Sequence, residues 1–130
     1  MWEIESTAEF DLWLLKLESH IQEDILAHFY ILREKGPQLG RPFADSIQGS
    51  KIKNLKELRI QVKQKVIRIF FVFTENRIGL LLAGGDKRGN DKLFYNQMIP
   101  IVEKIYRKWL NDNKENFDEN KSKKKSDRKS

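Results

Sequence analysis

Between Lys51 and Arg68 the sequence KIKNLKELRIQVKQKVIR sets seven basic side chains against one acid, Glu57. Downstream, Lys87 and Arg88 lie in the polar run GGDKRGND, and Tyr95 follows in an amphipathic stretch. Cations built into ordered strands hold their charge in fixed directions, as a site for a polyanionic backbone needs. The chemistry open to such a set is metal-free cleavage of RNA. That reaction needs the 2′-hydroxyl deprotonated, the charge growing on the phosphate offset and the 5′ oxygen protonated. Arginine suits the second task, because its planar fork meets two phosphate oxygens and stays charged. A lysine crowded by other cations exchanges protons nearer neutral pH. Tyrosine or glutamate can complete the proton-transfer set.

Each of these residues also has a plainer reading. Arg68 interrupts the apolar run VIRIFFVFT, so its charge must reach water, pair with an acid or serve a ligand. Glu57, expected on the neighbouring strand, is the acid within reach. Arg59 and Glu57 share one strand face, which could simply be solvated. Lys87 and Arg88 could be ordinary loop residues, and Tyr95 could pack in the stripe from Phe94 to Trp109. What unites them is an expected position near one sheet face. His20 and His28 sit eight residues apart on an acidic helical segment, far from the basic strands, and read better as surface or packing residues. HExxH, GxxxxGK and GxSxG motifs are absent. Acids are sparse among the basic strands, which speaks against clustered carboxylates holding a catalytic metal, and no cofactor is expected.

The elements that must position these residues are legible from periodicity. Trp2–Glu5 alternates as a short strand. Ser6 with Glu9, and Ser19 with Gln22, make capping-box patterns that open two helices, the first through about Leu17 and the second ended by Gly36-Pro37. Ile21, Ile25, Phe29 and Leu32 form the apolar stripe of the second. Residues 36–54 show no sustained period and read as a long loop. Three strands follow: Leu55–Val62, with Leu58, Ile60 and Val62 on one face and Glu57, Arg59 and Gln61 on the other; Val66–Thr74; and Ile78–Ala83. Gly84–Asp91 reads as a loop, and about Asp91–Asn111 as a final helix with Pro100 inside it. The expected order is β-α-α-β-β-β-α, an α+β domain with a curled, mostly antiparallel sheet packed against helices.

The chain of 130 residues has room for one domain, expected over residues 1–112, followed by a disordered basic tail over 113–130. The formal charge is +6, of which Lys114–Ser130 holds +3 (seven bases, four acids). The other +3 belongs to a body whose Lys51–Arg68 stretch alone supplies +6, so acidic helices balance it and the charge is segregated. There is no cysteine, hence no disulfide or thiolate metal site. The acidic N-terminus lacks a signal-peptide layout, and no apolar run reaches the roughly 18–20 residues that span a bilayer. The expectation is a soluble, cytoplasmic protein with no membrane partner.

From GRPFADSIQGSKIKNLKELRI through VIRIFFVF to LLLAGGDKRGNDKLFY and the following helix, the sequence resembles the RelE/ParE superfamily of bacterial toxins, specifically its HigB-like (phage Gp49-like) branch. The resemblance covers residues 1–110. It implies a small RelE-like domain and a toxin of a type II toxin–antitoxin pair that cleaves mRNA on the translating ribosome, with rRNA contacts and without metal. It also implies neutralisation by a cognate antitoxin, typically a helix-turn-helix protein. Carried over by position, Arg68 is the strand arginine, Lys87 or Arg88 the basic residue after the strand, and Tyr95 the helix aromatic. The Lys51–Lys56 group corresponds to the lysines that grip RNA. With Glu57, the catalytic candidates are Arg68, Lys87 and Tyr95; the RNA-binding candidates are Lys51, Lys53, Lys56, Arg59, Lys63 and Arg88. Two other readings share the fold: a ParE-like toxin that inhibits DNA gyrase by binding alone, and a degenerate module that only binds RNA or antitoxin.

Overall fold

The computed structural model describes the backbone of residues 1–129 and the side chains of residues 1–113. In chain order the elements are β1 (Glu3–Ser6), α1 (Ala8–Leu15), α2 (Ser19–Lys35), β2 (Ala44–Ser46), β3 (Lys56–Val62), β4 (Lys65–Phe73), β5 (Ile78–Asp86) and α3 (Asp91–Lys129). A 3-10 turn, Gly36–Gln38, follows α2. The strands form one sheet in the order β1-β5-β4-β3-β2, with β1 parallel to β5 and every other pair antiparallel. The helix α3 continues into the segment expected to be a tail, and that expectation falls on side chains outside the described residues.

Both faces of the sheet are covered. On one, α1 and α2 bring Phe10, Ile21, Ile25 and Leu32 onto Leu58, Ile60, Ile67, Ile69 and Phe71. On the other, α3 lays Val102 and Ile105, with Phe94, Tyr95 and Met98, over Leu55, Phe70, Val72, Leu80 and Leu82. Double burial is why β4 reads as almost continuously apolar. Alternation in β3 then sends Leu58, Ile60 and Val62 to the side covered by α1 and α2 and Glu57, Arg59 and Gln61 to the α3 side, as expected from parity.

Several local expectations are corrected. The α1 cap is Thr7, not Ser6. Its Oγ1 accepts from the Phe10 N–H (3.1 Å) and donates to the Leu82 carbonyl (2.7 Å). That carbonyl lies where β5 bulges, since Phe70 pairs with Ala83 but Phe71 with Leu81. Ser6 stays in the strand and donates to Asp11 Oδ1 at 2.6 Å. At α2 the N-cap is Glu18 without a side-chain cap bond, and Gln22 donates instead to the Leu17 carbonyl (2.8 Å). Inside the presumed loop 36–54 lies β2, a strand of three residues, which is too short for any period to register. The observed order is therefore β-α-α-β-β-β-β-α.

The Gly84-Gly85 pair belongs to β5, not to a loop. A Cβ at Gly84 would fall inside van der Waals contact of the Trp13 ring, and one at Gly85 would meet Phe94 Cε1 at 2.9 Å. The two glycines let an aromatic ring lie on each face of the same strand. Gly84→Ala should therefore force Trp13 off its seat and destabilise the chain by about 1–3 kcal/mol, read as a lowered unfolding midpoint. An unchanged midpoint would mean that Trp13 has somewhere else to go.

Candidate functional site

The α3 face of β3 and β4 carries the buried charges. Arg68 and Glu57 are 6% and 5% exposed, the only charged residues buried among those described. Register puts Arg59 opposite Arg68, and Glu57 opposite Phe70, so all three polar side chains share this face. Glu57 is the hub. Its Oε1 accepts from the Tyr95 hydroxyl at 2.7 Å and lies 3.7 Å from Arg68 Nε, while its Oε2 is 3.9 Å from Arg59 Nε. Arg68 pairs with Glu57, as expected; its Nε has no hydrogen-bond partner among the described residues, and its Nη1 donates to the Ile67 carbonyl (3.0 Å). Buried polar atoms are ordinarily satisfied, so an unspent guanidinium donor is a candidate ligand contact.

Tyr95 reaches this hub from the first turns of α3, whose start is capped by Asn90 Oδ1 accepting from the Leu93 N–H (3.0 Å). Its ring meets Phe70 and Phe94 edge-on, as the core-packing reading expects, while its hydroxyl is turned to Glu57. Burial, and then the hydrogen bond to Glu57 and its negative charge, push the phenol pKa up from 10.0 to about 12, with Arg68 opposing part of the shift. At neutral pH the hydroxyl is a proton donor. Because the folded pKa lies above the unfolded one, this contribution to stability is complete below about pH 10 and is lost as pH rises towards 12. Tyr95→Phe should remove that step of the alkaline unfolding curve. A wild-type phenol titrating near 10 by ultraviolet absorbance would contradict the arrangement.

The other candidates divide. The Lys87 N–H donates to the Val66 carbonyl (2.7 Å), extending the β4–β5 ladder by one pair beyond Ile67 and Asp86, and so by two beyond Arg68 and Gly85. Lys87 therefore stands on the Arg68 face, but its ammonium is held by Asp91 at 3.1 Å. Arg88 Nε lies 2.7 Å from Asp86 Oδ2, off the hydrogen-bonding direction, and so makes an ion pair only. Arg88 shares a cleft of about 280 Å³ with Lys63, Lys65, Glu18 and His20, away from the hub. Lys63 is the first residue of the two-residue β3–β4 turn, at φ 55°. Lys51 and Lys53 are exposed on a loop that is tied to α3: Glu103 Oε2 accepts from the Lys51 N–H (2.6 Å) and the Ser50 hydroxyl (3.0 Å). Lys56 points the other way. By strand parity it faces the side covered by α1 and α2, with its Nζ 5.9 Å from the Phe73 ring centroid, so it does not join Arg59 and Arg68. His20 is 3.4 Å from Glu18, and His28 Nδ1 is 2.8 Å from the Asp24 carbonyl; both belong to α2, behind the sheet.

Two residues that sequence reasoning missed join the hub. Asp45 of β2 pairs with Glu57 across the strands, and its Oδ2 lies 2.9 Å from Arg41 Nε and 4.0 Å from Arg59 Nη1. The Ser46 N–H, and then the Arg41 side chain, hold the Asp45 carboxyl below the usual carboxylate range. The only prior signal was an Arg and an Asp four residues apart in an aperiodic segment.

Comparison with known proteins agrees with this architecture. Residues 12–107 match the family described as phage derived protein Gp49-like. The chain is 36% identical over 102 residues to the Mycobacterium tuberculosis protein named "Putative toxin HigB3", covering 78% of this chain and 88% of that one. It is 34% identical over 99 residues to "Putative toxin HigB2" of the same organism, covering 75% of this chain and 49% of that protein. Among solved structures, the archaeal RelE in its RelB complex from Pyrococcus horikoshii superposes with TM-score 0.55 at 14% identity, covering 68% of this chain and 98% of that one. The isolated RelE toxin of E. coli gives 0.53 at 11%, covering 78% and 99%. At such identities the structures attest the fold alone. The match over most of the described domain, with relatives above one-third identity, makes the chain a member of the Gp49-like family, the HigB-like branch of the RelE toxin superfamily.

Proposed function

We propose that the protein is the toxin of a toxin–antitoxin pair and acts as an endoribonuclease on mRNA held in the ribosome, using the Glu57–Arg68–Tyr95 hub. The observation that carries this is a buried arginine with an unspent donor beside a carboxylate and a proton-donating phenol. In this reading Arg68 and Arg59 bind the scissile phosphate and offset the charge that grows on it. Glu57 takes the proton from the 2′-hydroxyl, whose oxygen attacks phosphorus. The bond to the 5′ oxygen breaks and Tyr95 gives that oxygen its proton, leaving a 2′,3′-cyclic phosphate and a 5′-hydroxyl end. Lys87 stands on the same face as a further cation, and Lys51 and Lys53 grip the strand from their loop. A helix-turn-helix antitoxin is the expected partner; several solved structures of this fold are toxin–antitoxin complexes.

The test is a brief pulse of expression followed by mapping of new RNA 5′ ends. Growth arrest with new 5′-hydroxyl ends inside translated reading frames supports the reading. Growth arrest with a DNA-damage response and intact transcripts would instead identify a gyrase-binding toxin. No arrest, with antitoxin binding retained, would identify a module that has lost catalysis.

A further inference from the structure

Running outward from the hub, the structure leaves a row of arginines whose donors are only partly used. Arg41, Arg59 and Arg68 alternate with Asp45 and Glu57 in one line across β2, β3 and β4. Arg59 lies near 4 Å from both acids and makes no side-chain hydrogen bond among the described residues. Arg41 commits Nε to Asp45 (2.9 Å), and its guanidinium is otherwise turned to solvent at 76% exposure. Arg68 keeps Nε free. Asp45 and Glu57 are direct cross-strand partners, a like-charge pairing that is unfavourable unless a cation spans it. Arg59 is the cation that does so. Asp45 is itself fixed by the Ser46 N–H and by Arg41. The row therefore holds three forks: Arg68 and Arg59 face each other on adjacent strands, about 5 Å apart at the usual strand spacing, and Arg41, ahead of β2, is tied to the row through Asp45.

We infer that Arg68, Arg59 and Arg41 form a track for successive phosphates of single-stranded RNA, which leaves the hub towards the β2 edge of the sheet, with Asp45 as the positioning residue that spaces Arg59 and Arg41. The track builds on the nuclease reading, but it requires only that this face binds a nucleic-acid backbone. It assigns to β2, and to Arg41 ahead of it, the part of the substrate that lies beyond the cleaved bond.

The experiment uses the full chain and a non-cleavable 2′-O-methyl oligonucleotide, with affinity followed against salt. Three phosphate contacts give a slope of log K against log salt of about −2, and Arg41→Ala should lower its magnitude by about 0.7 while weakening binding about tenfold. Arg41→Lys should keep the slope and lose part of the affinity, because a point charge replaces the fork. In cleavage of ribosome-bound message, Arg41→Ala should raise KM and leave kcat unchanged. Trimming the oligonucleotide should abolish the Arg41→Ala penalty from one end only.

Asp45→Asn discriminates most sharply. It removes a negative charge beside the proposed backbone, so general electrostatics alone demands tighter binding, whereas loss of the spacer demands weaker binding. Tighter binding by that variant, a slope unchanged in Arg41→Ala, or no salt-dependent binding by the wild type would each overturn the track. Absence of cleavage by the wild type with these slopes intact would instead remove the nuclease reading and leave the track standing.

Discussion

Arg68→Ala should abolish growth arrest and lower the cleavage rate about 10²- to 10³-fold, the effect of deleting one donor to a transition-state oxyanion. The argument rests on position. Arg68 is almost fully buried, its carboxylate partner is 3.7 Å away, and its Nε bonds to nothing. In the proposed reaction the Arg68 guanidinium, already fixed in place, would meet the charge that grows on the phosphate. The fold should survive, because Glu57 keeps the Tyr95 hydroxyl at 2.7 Å and Arg59 at 3.9 Å. Arg68→Lys keeps the charge and loses the two-pronged geometry, so little of the rate should return. Full toxicity in either variant, at normal protein levels, would remove Arg68 from the chemistry.

Glu57→Gln should be the most damaging single substitution to stability among the site residues. It leaves the Arg68 cation buried without its counter-charge, and breaking a buried pair in this way typically costs about 3–5 kcal/mol. For a domain of this size that corresponds to a midpoint lowered by roughly 11–18 °C, checked by thermal or denaturant unfolding. The double variant Glu57→Leu with Arg68→Met separates stability from function. Replacing both charges by apolar side chains is often neutral or stabilising, so this protein should regain most of its midpoint and none of its activity. If Glu57→Gln unfolds like the wild type, Arg68 has enough water or other partners and the buried pair is weaker than its geometry suggests.

Much of this site could be read from the residues before any coordinates. Alternation in β3 placed Glu57 and Arg59 on one face, and a charge inside VIRIFFVF had to find an acid; the nearest was Glu57. Those inferences rest on local rules of parity and of buried charge. What escaped depended on longer-range contacts. β2 has three residues and owes its existence to Leu58, Glu57 and Lys56 across the ladder, so nothing within Ala44–Ser46 announces it. Arg41 and Asp45 were hidden with it. The Gly84-Gly85 pair looked like loop punctuation, yet it is strand, because Trp13 and Phe94 need the space. Lys56 was grouped with Lys51 and Lys53 through the family resemblance, although parity already assigned it to the opposite face. Tyr95 could be placed on a helix face but not aimed, since its contact with Glu57 spans 38 residues.

The central claim is that the hub at Glu57, Arg68 and Tyr95 cleaves RNA, and single-turnover cleavage of ribosome-bound message by purified protein tests it most directly. Wild-type protein should cut the message in the presence of a chelator of free divalent ions, to the extent that the ribosome stays assembled, and leave 5′-hydroxyl ends. Arg68→Ala should bind the same ribosomes and cut at least about 100-fold more slowly. Equal rates for the two proteins, or wild-type protein that binds programmed ribosomes and leaves the message intact, would contradict the account.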